Sequence, residues 1–387
     1  MKRKLIYLML TLVLVALPMV AACSSPAPAP SPAPSPAPAP APAPVPAPAP
    51  SPAPAAQPVT WRFHWETSTG ATSDMGWPFK PGGLFEYLVA KETGGLVKFD
   101  IKEKLYTATE SILAVGDGRV QIGNQVVAFA SGTYPVLDFG ALPLFFSESP
   151  ASSYEWAAAM TDPRMTALLD KYTRPAGFIV LGASLAPPNS FQWGSKAIKT
   201  LDDFKGLKTR TSGLTQTLAL TALGASPLTL SMGELSDALQ RGTVDAVTTS
   251  IAYGFINQID FVAKYSSGDW GITPVFPAVV AANAKAFDAL PAAAQDGLRR
   301  AGALLVRAMS ASLEQSQIVY GNFMFVRSKA QLVVPAAGER DKAAKLMEPV
   351  ISEWLKVAGP LGKDVLKIAA DYANGPAKSV VLSVISK

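Results

Sequence analysis

Two stretches of the chain, Thr107-Ala108-Thr109-Glu110-Ser111-Ile112-Leu113-Ala114-Val115-Gly116-Asp117-Gly118-Arg119-Val120-Gln121-Ile122 and Ser231-Met232-Gly233-Glu234-Leu235-Ser236-Asp237-Ala238-Leu239-Gln240-Arg241-Gly242-Thr243-Val244-Asp245-Ala246, follow one plan 124 residues apart. Each opens with capping-box spacing, Thr107-x-x-Glu110 and Ser231-x-x-Glu234, which favours a helix start. Each continues with apolar residues at helical spacing, stops at a glycine (Gly118, Gly242) and passes into a strand-like run two residues later at Val120 and Val244. Cap, stop and strand in the same register predict one supersecondary unit used once in each of two lobes. Two lobes of this kind leave a cleft between them, a usual place for a small ligand. Two unrelated helix–strand units are the plainer alternative.

Outward from these segments the same alternation continues. Val59-Thr60-Trp61-Arg62-Phe63-His64-Trp65 reads as a strand opening into the polar loop Glu66-Thr67-Ser68-Thr69-Gly70, followed by a helix over 83–92 and a strand over 96–101. Further on, 154–160 and 165–171 read as helices and 177–181 as a buried strand, and Pro187-Pro188 interrupts the chain. Thr200-x-x-Asp203 opens a short helix, 207–210 is strand-like and 275–282 is an apolar strand. Pro291 starts a long helix reaching about Phe325, and 341–357 forms a final solvated helix. Strands alternating with helices define an α/β fold.

The N-terminal part is of another kind. Lys2, Arg3 and Lys4 precede an apolar run from Leu5 to Val20, the layout of a secretory signal peptide, too short for a comfortable membrane span. Val20-Ala21-Ala22-Cys23 resembles a bacterial lipobox, so residues 1–22 are expected to be a lipoprotein signal and Cys23 the lipidated residue. Residues 23–58 follow as a linker: 24–58 hold 16 of the 34 prolines, interleaved with Ala and Ser, and predict a semi-rigid polyproline II spacer. At ~3.1 Å per residue it reaches up to ~110 Å. The formal charge of +5 falls to +2 once the three leader charges are removed, because residues 5–58 carry none, and no basic, aromatic-interleaved patch points to nucleic acid.

Composition and motifs exclude much catalysis. One Cys and one His in 387 residues rule out an internal disulfide, a Cys-rich zinc site and any mechanism using two histidines. Phosphate-loop, serine-hydrolase and zincin motifs are missing, and Gly116-Asp117-Gly118 with Gly123 follows a helix rather than a strand, so it reads as a helix stop. No cofactor or metal is expected. His64, between Phe63 and Trp65, reads as a packed or cleft-lining side chain. Arg210 closes a strand-like segment directly before Thr211-Ser212-Gly213 and a helix. There a guanidinium can present its two-pronged donor to a carboxylate, or form a surface or interlobe ion pair.

Lys199-Thr200-Leu201-Asp202-Asp203-Phe204-Lys205-Gly206-Leu207-Lys208-Thr209-Arg210 resembles the "D-[LF]-K-G-L-K-x-R" signature of DctP-type solute-binding proteins of TRAP transporters. Leu223-Gly224-Ala225-Ser226-Pro227, Glu234 with Ala238-Leu239-Gln240-Arg241-Gly242-Thr243-Val244-Asp245, and Lys285-Ala286-Phe287-Asp288-Ala289-Leu290-Pro291 resemble its next landmarks. Gly118 to Gly123 and Leu142-Pro143-Leu144-Phe145-Phe146 resemble first-lobe ones. The resemblance implies a two-lobed periplasmic-binding-protein-like fold with a long hinge-spanning helix: lobe I from 59–187 plus 272–315, lobe II from 188–271 plus 316–387. It implies an extracytoplasmic receptor, not an enzyme, that closes on a small organic acid and delivers it to a TRAP permease in the membrane. Arg210 then pairs with the carboxylate. Asn189, Phe191, Gln192, Trp193, Thr248, Thr249 and Trp270 are further candidates, with Glu66, Thr67, Asn124, Gln125 and Phe129 from first-lobe loops. Ser190 stands where many relatives carry a second arginine, and Ala246 replaces a glycine; these departures favour a small or partly apolar acid. A secreted enzyme or a signalling lipoprotein on the same scaffold is the alternative.

Overall fold

The computed structural model describes residues 57–65, 77–103, 105–186, 190–230 and 232–387. The leader, Cys23, almost all of the Pro/Ala tract, Glu66, Thr67 and Asn189 lie outside the described residues. The first half of the described chain runs β1 (Val59–Trp65), α1 (Leu84–Glu92), β2 (Val97–Glu103), α2 (Ser111–Gly116), β3 (Ile122–Val126), α3 (Ala151–Met160), α4 (Pro163–Thr173) and β4 (Phe178–Ala186). It then crosses into β5 (Phe191–Gly194), β6 (Lys208–Thr211), α5 (Leu214–Ala222), β7 (Ser226–Thr229), α6 (Leu235–Gln240), β8 (Ala246–Thr249), α7 (Ile251–Ile256), α8 (Ile259–Val262) and β9 (Tyr265–Ser267). It returns through β10 (Phe276–Asn283), α9 (Ala284–Asp288) and α10 (Ala292–Arg327), and ends with β11 (Gln331–Val333), α11 (Glu339–Lys345), α12 (Glu348–Ala370) and α13 (Lys378–Ser386). The α/β class is as the alternation predicts.

The strands form two sheets, β2-β1-β3-β10-β4 and β11-β9-β5-β8-β6-β7. Each holds a parallel trio built alike, with β1 between β2 and β3 and β6 between β7 and β8, extended by antiparallel strands. The chain passes between the sheets at β4–β5, at β9–β10 and along α10. This last helix is 36 residues long, about 54 Å at 1.5 Å per residue. Its N-terminal half packs on α1 and β4, and its C-terminal half reaches α7, where Tyr320 lies 5.2 Å from the Phe255 ring.

Apolar periodicity decides which faces are buried. In β1, Trp61 and Phe63 point into a cluster with Phe79, Phe85, Leu298 and Leu305, while Arg62 between them is exposed. A larger cluster joins Phe139, Phe145, Phe146 and Trp156 to Trp354, Val365 and Val381, so α12 and α13 pack on residues 135–160. In the second sheet Trp193, Val247, Leu235 and Ile259 form a separate cluster.

The helices, glycine stops and strands of the 124-residue repeat keep their offset to the residue, while Ser231 of the second cap lies outside the described residues. Helices 111–116 and 235–240 and strands starting at 122 and 246 keep the same offset. Gly118 and Gly242 take φ of +77° and +72°, which an L side chain rarely adopts, and end the helices alike. The following turns match too: Val120 N–H donates to Ala114 O and Val244 N–H to Ala238 O.

Several boundaries differ from expectation. Residues 108–110 form a turn and α2 starts only at Ser111, because the Thr107 hydroxyl donates to Glu110 Oε2 (2.7 Å) instead of accepting from the helix start. The capping box closes fully at Thr200, where Asp203 accepts the Thr200 N–H at 2.8 Å. The strands after Gly118 and Gly242 begin four residues on, since the turn bonds occupy the two valines. The final helix is two helices, and α12 continues beyond a break at Gly359 (φ +67°), where Pro360 removes a donor and clashes with the preceding turn. α13 was not foreseen. Among the described residues no helix is long and apolar enough to cross a membrane.

Candidate functional site

In sheets with parallel strands, ligands collect outside the carboxyl ends of the strands. Here the carboxyl ends of the two parallel trios face one another. Gly213, in the turn after β6, lies so close to the segment after β3 that an added Cβ would sit 3.1 Å from Ala128 O. Val126 at the end of β3, with Ala128 and Phe129 just beyond it, meets Tyr253 and Ile256 of α7 in one apolar cluster with Phe276 and Ala278. Phe129 is thus half-buried at the contact between the two halves.

Arg210 is the penultimate residue of β6, and none of it is exposed. Its Nε donates to Leu230 O at 3.0 Å and its Nη1 to Thr248 O at 3.3 Å, so two backbone carbonyls fix the guanidinium plane. Burial pulls its pKa down to about 10, leaving it cationic at neutral pH.

Strand register sorts the other candidates. Arg210 pairs with Val247, Thr249 lies two residues farther on the same face, and Phe191 is opposite Thr249 on β5. Arg210, Thr249 and Phe191 therefore share one face, and Thr249 Oγ1 is buried with no hydrogen-bond partner among the described residues. Gln192 and Thr248 point to the other face. There Gln192 Oε1 accepts from the Thr209 hydroxyl (3.1 Å) and the Thr248 hydroxyl (2.9 Å). The structure separates this buried triad from Arg210. Trp193 and Trp270, candidates that read equally as cleft or core, are both buried in the core. The Trp193 ring packs on Gly254, where a Cβ would overlap it, and Trp270 meets Phe204 edge-on at 4.9 Å. Ser190 is buried, its hydroxyl accepting the Thr273 N–H at 3.3 Å, which ties the outgoing crossing to the returning one.

On the first sheet Asn124 and Gln125 occupy the places that the repeat assigns to Thr248 and Thr249. Gln125 is 1% exposed, and its Nε2 donates to Ala108 O at 2.7 Å, holding the loop before α2. His64 is the penultimate residue of β1 and wholly buried, against the edge of Tyr106 with ring centroids 5.5 Å apart. A cavity of ≈ 540 Å³ lies beside Phe191 and Ile251, walled also by Leu332, Val334, Glu148 and Arg340. Arg340 is mostly buried and ion-paired with Glu148.

Sequence reading missed Asp138. It is buried in the turn over 135–141, and its Oδ2 accepts from the Thr215 hydroxyl of α5 at 2.6 Å. No motif marks it; only packing brings this segment to the helix after Arg210. Burial pushes its carboxyl from 3.8 up to about 7, with the Thr215 bond partly opposing, while burial pulls the His64 imidazole from 6.5 down to about 4. Between pH 4 and 6.5 the unfolded chain protonates His64 and the folded protein does not, so this residue makes stability rise with pH through that window. Asp138 acts oppositely: its favourable share is complete below 3.8 and disappears as pH rises through about 7. His64→Phe is therefore expected to lower the slope of stability against pH between pH 4 and 6.5, and Asp138→Asn to raise it between pH 4 and 7. Denaturant unfolding across pH 4–7.5 checks both; difference curves without slope would overturn the pair.

Among the described residues no group of His, Cys, Asp and Glu side chains is arranged to hold a metal ion. The model of the bacterial extracellular solute-binding protein family 7, DctP, matches residues 81–356. Among solved structures, DctP6, a Bordetella pertussis extracytoplasmic solute receptor binding pyroglutamic acid, superposes with a TM-score of 0.68 at 23% identity, over 81% of this chain and 100% of that one. DctP7 of Bordetella pertussis, also binding pyroglutamic acid, gives 0.65 at 21% identity over 80% and 99%. A TRAP periplasmic solute binding protein from Sulfitobacter sp. NAS-14.1 with bound β-D-galacturonate gives 0.65 at 20% identity over 80% and 99%. These likenesses establish the fold.

Proposed function

Because the chain belongs to the DctP family of bacterial extracellular solute-binding proteins, we propose that it is a lipid-anchored receptor that captures a small organic acid between its two sheets and hands it to a TRAP-type permease. The observation that carries this reading is Arg210, a wholly buried guanidinium held by two carbonyls at the carboxyl end of β6. A cation desolvated this far and fixed in one plane is built to meet a planar anion. Thr249 and Phe191 share its face and supply a hydroxyl and an apolar wall, so the acid lies against Arg210 with its body toward Phe191.

The solved relatives support a carboxylate, since pyroglutamate and galacturonate each carry one on a ring. Ser190 in place of a second arginine supports a monocarboxylate. Binding that touches both halves favours the closed arrangement and shifts the population toward it. Cys23 and the Pro/Ala tract would hold the receptor outside the membrane, within reach of the permease.

A thermal-shift series of the mature protein with pyroglutamate, galacturonate, lactate and propionate tests the reading. At least one acid should raise the melting temperature saturably, as a ligand bound only to the folded state must. No shift from any of the four, or consumption of a bound acid, would refute it.

A further inference from the structure

The register places His64 where the second sheet has Arg210. Phe63 pairs with Ile122 in the first parallel trio and Thr209 with Ala246 in the second, and Ile122 and Ala246 are the same position of the repeat. The next residue along is His64 in one sheet and Arg210 in the other, each penultimate in its strand. Their surroundings correspond as well. Arg210 bonds the carbonyl of Leu230, and His64 packs on Tyr106, which stands 124 residues before Leu230.

The polar atoms around His64 are unusual. His64 Nδ1 and Nε2, Ser111 Oγ and Gln125 Oε1 are all buried without a hydrogen-bond partner among the described residues. The three residues lie on one face of the sheet. Gly123 is in register with His64, and an added Cβ there would lie 3.9 Å from Ser111 Oγ and 3.4 Å from His64 O. Gln125 is two residues farther along β3 on that face. Ser111 begins α2, which runs back against the strands, so the cluster sits at their carboxyl end, the edge that faces the second sheet. Buried polar groups are nearly always paired, so several unpaired ones at one place call for a partner. Together they offer acceptors at Gln125 and imidazole, and donors at imidazole and Ser111.

We infer that His64, Ser111 and Gln125 form the first-sheet counterpart of Arg210, a subsite for a neutral amide or hydroxyl group of the acid bound there. This rests on the acid-receptor reading. The second sheet recognises the charged end, and the first selects acids carrying an uncharged donor–acceptor group. The imidazole stays neutral down to about pH 4, so it supplies one donor and one acceptor throughout the neutral range.

The chain contains a single histidine, so the untagged mature protein gives one set of imidazole NMR signals. Two matched pairs of probes differ chiefly in the neutral group: pyroglutamate against cyclopentanecarboxylate, and lactate against propionate. The acid with the neutral group is expected to bind more tightly in at least one pair and to move the His64 signals on saturation. His64→Phe should lower the ratio of affinities within that pair by about ten-fold or more. The same variant should be at least as heat-stable as wild type without ligand, because an unpaired polar group has been removed. His64→Gln, which keeps a donor and an acceptor, should retain part of the ratio. If an acid binds, but the imidazole signals stay fixed and His64→Phe leaves both ratios unchanged, the inference is wrong, and the cluster serves an internal water. If none of the four acids binds, the acid-receptor reading and this inference fall together.

Discussion

Arg210→Ala is expected to lose roughly 2–5 kcal/mol of affinity for the acid, the range seen when one partner of a buried charge pair is removed. The loss has two parts. The charge-assisted hydrogen bonds disappear, and the carboxylate is left desolvated opposite an alanine cavity. Arg210→Lys should recover only a fraction, because an ammonium cannot keep the bond from Nε to Leu230 O while also reaching the ligand with a planar pair of donors. Calorimetry with whichever acid shifts the melting temperature is the direct measurement. Unchanged affinity in the alanine variant would show that Arg210 is a structural cation and that the ligand binds elsewhere, with the cavity beside Phe191 and Arg340 the next place to look.

The second large effect concerns the helix that spans both halves. Gly302→Val is expected to destabilise the protein by about 3 kcal/mol or more, at the upper end of overpacking costs. Gly302 lies against β4 so closely that an added Cβ would overlap the Leu181 carbonyl, and a Cβ at Gly182 would lie 2.7 Å from Gly302 O. The obstacle in both cases is backbone, which no rotamer change relieves. Gly297 makes a similar approach to the Glu92 carbonyl of α1. Even Gly302→Ala should lower the melting temperature, although alanine favours a helix over glycine by about 1 kcal/mol. A melting temperature raised by Gly302→Ala would mean that α10 is not seated on β4, and the link between the halves would need another explanation.

The repeat was legible because its determinants are local. A helix stop needs a residue tolerant of positive φ, and Gly118 and Gly242 supply it 124 residues apart. The same local logic exposed most strands and the longer helices, though not α7, α8, α9 or α13, and it offered Arg210 as either a carboxylate partner or an ion-pair residue. The α12 break illustrates the limit. Gly359-Pro360 is an evident interruption, yet whether the chain resumes as helix depends on Trp354, Val365 and Leu366 finding a common core, which no local pattern reports.

The candidate site divides along the same line. Alternation along β5 and β8 sends Gln192 and Thr248 to one face and Phe191 and Thr249 to the other, but which face holds Arg210 depends on how β6 registers against β8. Trp193 and Trp270 read equally well as cleft or core until their neighbours are known. The equivalence of His64 and Arg210 is invisible to the repeat, because the offset between them is 146 residues rather than 124. Loops of different length separate the matching strands.

By itself, then, the sequence determined the α/β class, the use of one helix–strand unit twice and the family, and it singled out the arginine as a candidate. All of these rest on residues close together in the chain or on motifs in fixed order. Only the tertiary structure decided which side chains share a face with Arg210, that Asp138 meets the helix after it, and that the lone histidine holds the corresponding place in the other sheet. Hydrogen-bond register between distant strands, and the burial it produces, are set by the whole packed molecule.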